Sequence, residues 1–194
     1  FDAYGRQTPD PERFPRGMKA VADHVHAKGL KAGIYLPVGL EKEGYGDGKV
    51  PIWNTTDCTT ADIVYDDLRT TNGWDSAYKL NFDNPCAQKY IDSQAQLLAG
   101  WGYDFLKLDG VGPGSSKSGD NYNNVADVAA WHRAIADTGR PTSAYSWLQP
   151  SRSCAKSFSR QPRSIEPPSC APITERSELV CCWAIDRFND CAPV

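Results

Sequence analysis

The sequence predicts a parallel α/β fold. Two observations carry this reading: helix-type and strand-type apolar periods alternate three times, and short turns lead from helix to strand whereas long polar loops lead from strand to helix.

Each element has its own local reason. Pro15 suits the first turn of a helix, and Met18, Val21, Ala22 and Val25 recur on one helical face, which predicts a helix over 15–28 stopped by Gly29. Residues 30–36 (LKAGIYL) alternate apolar positions and read as a strand closed by Pro37. Asn84 and Pro85 then open a second helix, with Ile91, Ala95 and Leu98 on its inner face and Gly100 and Gly102 at its end. The next strand is 103–108 (YDFLKL). A third helix is expected to bury Val125, Val128, Ala129, His132, Ile135 and Ala136, to stop at Gly139 and to lead to a strand at 142–147. The segments 37–83 and 110–124 remain as long loops rich in Gly, Asn, Asp and aromatics.

Composition narrows the function classes. A formal net charge of −3 without a lysine or arginine cluster argues against nucleic acid and anionic membranes as partners. No stretch approaches the roughly 18–20 continuous apolar residues of a membrane span. Six Trp and nine Tyr supply flat rings with polar tips, suited to sugar faces, although core packing accounts for most of them. Seven cysteines without a Cys-x-x-Cys pair point to an oxidising, secreted setting rather than to zinc. Cys58 and Cys86, the two cysteines in the well-patterned part, are expected to pair; two free buried thiols are the alternative.

Neither a metal nor a cofactor is expected. His24, His26 and His132 are the only histidines, and two positions apart on a helix do not face one ligand. The loop GPGSSKSGD, with Ser115, Ser116 and Ser118, lacks the Lys-Ser/Thr ending of a phosphate cradle and reads as a solvated turn. GVGPGS at 110–115 is likewise a poor match for the glycine turn of a doubly wound nucleotide-binding domain.

The residue that stands out chemically is Asp109. It follows the strand 103–108 two positions after Lys107, so strand alternation puts both side chains on one face. A lysine beside a carboxylate favours the charged form that a nucleophile needs, and Gly110 leaves backbone room for a ligand. Taken alone, an Asp at a strand end is more often a loop cap.

Two long motifs change that balance. PDPERFPRGMKAVADHVHAKGLKAGIY at 9–35 and WGYDFLKLDG at 101–110 resemble, in order and spacing, the segments of glycoside hydrolase family 27, the α-galactosidase or melibiase type, that end in its third and fourth barrel strands. The resemblance covers about residues 2–147, with an echo in RFND at 187–190. It implies a partial (β/α)8 TIM barrel, about strands three to five with their helices, and chemistry on the long strand-to-helix loops. It further implies a glycosidase acting on terminal α-linked galactose or a related sugar, such as a β-L-arabinopyranoside, by a retaining double displacement. Asp109 matches the nucleophile, Lys107 the lysine that hydrogen-bonds sugar hydroxyls, and Tyr35 the aromatic residue ending the third strand. A surface cation and a core ring are the plain readings of the last two.

Beyond 147 the pattern fails. Residues 148–182 hold five Pro, seven Ser, four Cys and four Arg but no Gly, Asp or Trp, and no period of either kind. They read as an aberrant segment, a shifted frame before a surface linker; helical character returns at 183–190 (WAIDRFND), and 183–194 reads as a possible remnant of the barrel. The first residues likewise read as beginning in mid-domain, so the chain reads as an internal piece of the family's barrel. The family's general acid/base motif has its nearest counterpart in RSIEPPSC at 163–170, where Glu166 is the one carboxylate and is left unassigned. Activity is therefore expected to be impaired, and the alternative is a non-catalytic carbohydrate-binding relic of the same fold.

Overall fold

The structure is a computed structural model that describes residues 1–111, 117–141 and 143–146. The segments 148–182 and 183–194, Glu166, Ser115, Ser116, and the outer positions Thr142 and Trp147 of the last expected strand lie outside the described residues.

Helix α1 is Gly17–Ala27 and leads to strand β1, Gly33–Pro37. A small excursion follows: β2 (Leu40–Glu41), a single helical turn α2 (Lys42–Tyr45), β3 (Thr70–Thr71) and β4 (Ala77–Tyr78). The chain then enters α3 (Pro85–Trp101), β5 (Phe105–Asp109), α4 (Val125–Asp137) and β6 (Ser143–Ser146). Strands β1, β5 and β6 form a parallel sheet in the order β1-β5-β6, and β2, β4 and β3 form a separate antiparallel one.

Both main strands begin later than their apolar pattern suggests, at residue 33 instead of 30 and at 105 instead of 103. The cause is a polar junction in front of them. Asp104 takes the Ala32 N–H at 3.0 Å and His26 Nε2 at 2.6 Å on Oδ2, and Arg140 at 2.9 Å on Oδ1. The Ala32 carbonyl in turn accepts from the Asp104 and Phe105 amides, so ladder pairing starts only at Gly33 against Phe105. Burial opposes charge on Asp104. Hydrogen bonds from His26 and the Ala32 amide, with the charges of His26 and Lys31, overcome it and hold this carboxyl below its ordinary pKa.

The core lies between the parallel sheet and its helices. Ile34, Leu36, Leu106 and Leu108 point to one side and are buried with Met18, Ala22 and Val25 of α1, Ala87, Ile91 and Ala95 of α3, and Trp131 and Ala134 of α4. Each fully buried Leu or Ile contributes about 1.5–3 kcal/mol. Helix α3 starts where the sequence indicates: the Asn84 side chain accepts the Cys86 amide at 2.9 Å, Pro85 takes the first helical position, and Gly102 closes the helix in the left-handed conformation.

Helix α4 turns a different face inward from the one the periodicity suggests. Asp127, Ala130, Trp131, Ala134 and Ile135 are buried, while Ala129, His132 and Ala136 face outward and Val125 is 55% exposed. Trp131 offers far more apolar area than any of the expected residues except Ile135, and its burial carries Asp127 and Ala134 in with it. Among the described residues no helix is long and apolar enough to cross a membrane.

Cys58, in the excursion after β1, is bonded to Cys86 in the first turn of α3 across 28 residues of chain. Closing a loop of that length should stabilise the fold by about 3–4 kcal/mol in the chain-entropy account. A C58A/C86A double variant is expected to unfold at a clearly lower denaturant midpoint than the oxidised chain, and equal midpoints would show that the bond contributes nothing.

Candidate active site

Strand register assembles the site. Tyr35 of β1 pairs with Lys107 of β5, and Pro37 with Asp109, so three side chains expected from the sequence share the face opposite Ile34, Leu36, Leu106 and Leu108. Asp109 is the last residue of β5 rather than the first after it. The ladder continues one bond further, from the Val38 amide to the Asp109 carbonyl.

The two oxygens of Asp109 are used differently. Oδ1 accepts the Gly110 amide at 2.9 Å, and Oδ2 lies 3.6 Å from Lys107 Nζ. Lys107 Nζ also sits 5.1 Å from the centre of the Tyr35 ring, within cation–π range. The carboxylate keeps 29% of its side-chain surface open to solvent. Burial, the charge of Asp109, a hydrogen bond to it and the charge of Glu41 all raise the Tyr35 phenol well above its usual pKa. Tyr35 therefore keeps its proton and serves Asp109 as a donor. A carboxylate held by a cation, a phenol and a backbone amide, yet open on one side, can present a lone pair to an electrophilic carbon.

Gly110 is required where it stands. Its φ is +71°, and a β-carbon there would lie 2.7 Å from Asn72 Cβ and 2.9 Å from Trp74 Cζ3. Those residues belong to a turn between β3 and β4 whose anchoring the sequence does not reveal. Asn72, fully buried at φ +63°, donates to the Val38 carbonyl at 3.4 Å and to Ser76 Oγ at 3.2 Å, and accepts the Trp74 amide at 2.9 Å. Asp75, at φ +56°, binds Lys117 at 2.7 Å, the Tyr122 hydroxyl at 2.6 Å and the Thr70 hydroxyl at 3.2 Å, tying the turn to the segment after β5. Hydrogen bonds from Lys117 and Tyr122 hold its carboxyl below the ordinary range. The Asn72-Gly73 dipeptide was a readable turn signal, but nothing local announces that the turn folds onto Gly110.

Comparison with known proteins gives a consistent result. Residues 1–80 match the family model described as alpha galactosidase A, Melibiase_2. The α-N-acetylgalactosaminidase of Gallus gallus is 37% identical over 140 residues, which is 72% of this chain and 24% of the relative. Human α-galactosidase A is 32% identical over 126 residues, 65% of this chain and 19% of the relative. The chain thus spans at most a quarter of the length of these curated relatives. Among solved structures, a family 27 β-L-arabinopyranosidase from Geobacillus stearothermophilus superposes with a TM-score of 0.67 at 30% identity, covering 78% of this chain and 34% of its own. A variant of that enzyme has been solved in complex with arabinose.

Beneath the site a buried polar layer joins the antiparallel sheet to α4. Asn124 donates to Thr71 Oγ1 at 2.9 Å, Thr71 donates to the Asn121 carbonyl at 2.7 Å, and Lys79 Nζ caps the Asn121 and Asn123 carbonyls. Gly39 packs here at φ +93°, where a β-carbon would lie 2.7 Å from both Thr71 Cγ2 and the Tyr78 carbonyl. Asp127 is wholly buried, with Oδ1 lacking a hydrogen-bond partner among the described residues. Burial pushes its pKa up to about 6, against the opposing charge of Lys79 and hydrogen bonds from Asn124 and the Asp127 and Gly39 backbone. A carboxyl with a raised folded pKa holds its proton more tightly when folded, so its contribution is full below about pH 4 and is lost as pH rises towards 6. Asp127→Asn should therefore flatten the fall in unfolding free energy between about pH 4 and 6. Denaturation curves across that window check this, and an unchanged slope would mean that Asp127 does not titrate there.

Proposed function

The chain belongs to the α-galactosidase-type glycosidases of glycoside hydrolase family 27, and from that membership we propose that it carries the nucleophile half of a retaining hydrolase for terminal α-linked galactose, with Asp109 as nucleophile. The observation that carries the reading is the placing of Asp109 at the C-terminal end of the middle parallel strand, between Lys107, Tyr35 and the amide of Gly110. In a parallel barrel that end is where the catalytic groups stand. On this reading β1, β5 and β6 are the third to fifth strands of the family barrel, and residues 1–147 are the part of the catalytic domain present.

Asp109 attacks the anomeric carbon, the bond to the leaving oxygen breaks, and that oxygen takes a proton from a second carboxyl group that is not assigned in this chain. Water then attacks the glycosyl ester, gives up a proton to that second group and frees Asp109. Tyr35 donates to the Asp109 carboxylate and holds it in line. Lys107, long and flexible beside Asp109, reaches the sugar hydroxyls. The partner is a carbohydrate, and the Cys58–Cys86 bond supports a secreted, oxidising location.

Asp109→Ala is expected to lower kcat on an aryl α-galactoside at least about a thousandfold, with part of the rate restored by azide filling the vacated space. Activity above a few per cent in the unrescued variant would overturn the assignment. A galactosyl fluoride or epoxide should label Asp109 in the unmodified chain. Sugar binding without labelling would instead identify a carbohydrate-binding relic.

A further inference from the structure

Trp74 is the most exposed of the large hydrophobic residues among those described, at 57%, and its ring edge closes on Gly110, the residue next to Asp109. A single exposed indole is ordinary on a protein surface. This one differs in how its backbone is held. On one side Asn72 is fully buried and ties the turn to Val38 and Ser76; on the other Asp75 makes three side-chain hydrogen bonds to Thr70, Lys117 and Tyr122. Both residues adopt left-handed backbone, which non-glycine residues occupy at a cost. Asp75 gathers side chains from two segments beside a ring that is left mostly in water, so the anchoring fixes where the ring stands without burying it.

We propose that Trp74 is the stacking platform for the second sugar ring of the substrate, the one on the leaving-group side of the bond that Asp109 attacks. The inference rests on the nucleophile reading above and adds a specificity residue to it. Tyr35 and Lys107, paired at the middle of β1 and β5, and Asp109 at the end of β5 share one face, where the cleaved sugar meets hydrogen-bonding and charged groups. Trp74 stands beyond the strand end, over Gly110, and offers the next ring a flat apolar face of the kind that packs against the C–H side of a pyranose. Its rigid mounting lowers the ordering cost of binding.

The test compares free galactose with an α-galactosyl-glucose disaccharide, titrated calorimetrically into the full chain and into its W74A and W74F variants. Trp74 is exposed, so W74A should fold normally, and circular dichroism of all three proteins checks this. The expected result is a disaccharide affinity lower by roughly three- to tenfold in W74A, largely restored in W74F, with galactose affinity unchanged. Equal disaccharide affinity in W74A and the unmodified chain overturns the platform and leaves the nucleophile reading intact. An equal loss for both sugars also overturns it, because the ring would then serve the first sugar or the fold. If the unmodified chain binds neither sugar, the galactosidase reading fails and the platform with it.

Discussion

One carboxylate fixes how the two main strands lie against each other. Asp104 ties the amide that precedes β1 to the residue that precedes β5, and it draws in His26 from the end of α1 and Arg140 from beyond α4. Arg140 also donates to the Gly102 and Tyr103 carbonyls, so the turn that ends α3 is secured from the same point. A slip of one residue at this junction would move every side chain of a strand to the opposite face. Tyr35 would then enter the helix-facing core and Leu36 would face the site. The shared face of Tyr35, Lys107 and Asp109, from the middle of the strands to the end of β5, therefore depends on polar contacts that precede both strands.

That dependence explains what could be read in the sequence. Strand alternation showed that Lys107 and Asp109 share a face, and the caps at Asn84, Pro85 and Gly102 marked α3 closely, because each signal lies within a few residues of the feature it describes. The Asp104 junction joins residues up to 78 positions apart, and no local pattern announces it. His26 looked like half of an unusable metal pair, whereas it serves the fold as a partner for Asp104. The antiparallel sheet of β2, β3 and β4 was invisible for a different reason: its strands are two residues long, too short for any period to show.

The inward face of α4 departs from its apolar period, apart from Ile135, because periodicity counts apolar residues and cannot foresee a buried acid. Asp127 enters the interior one turn before Trp131, and Lys79, Asn124 and the backbone of Gly39 make its burial tolerable. This layer connects to the site through Thr71, which accepts from Asn124 and immediately precedes Asn72. The small sheet is thus anchored from below by buried polar groups and from the side by Asp75.

Floor and rim of the site consequently have different physical origins. The floor is built from consecutive odd positions of two paired strands, and its geometry follows from backbone hydrogen bonding alone once register is set. The rim is built from a turn whose position depends on side chains, chiefly Asn72 and Asp75, acting over distances of 30 to 50 residues along the chain. A floor of this kind can change little without breaking the sheet, because moving Asp109 means moving Leu108 out of the core. The rim can be rebuilt by exchanging a few polar side chains while the core stays untouched. On the proposed reading, selectivity between sugars that share one reacting centre is therefore best placed on the rim, where residues such as Trp74 can be exchanged without disturbing the Asp109 carboxylate.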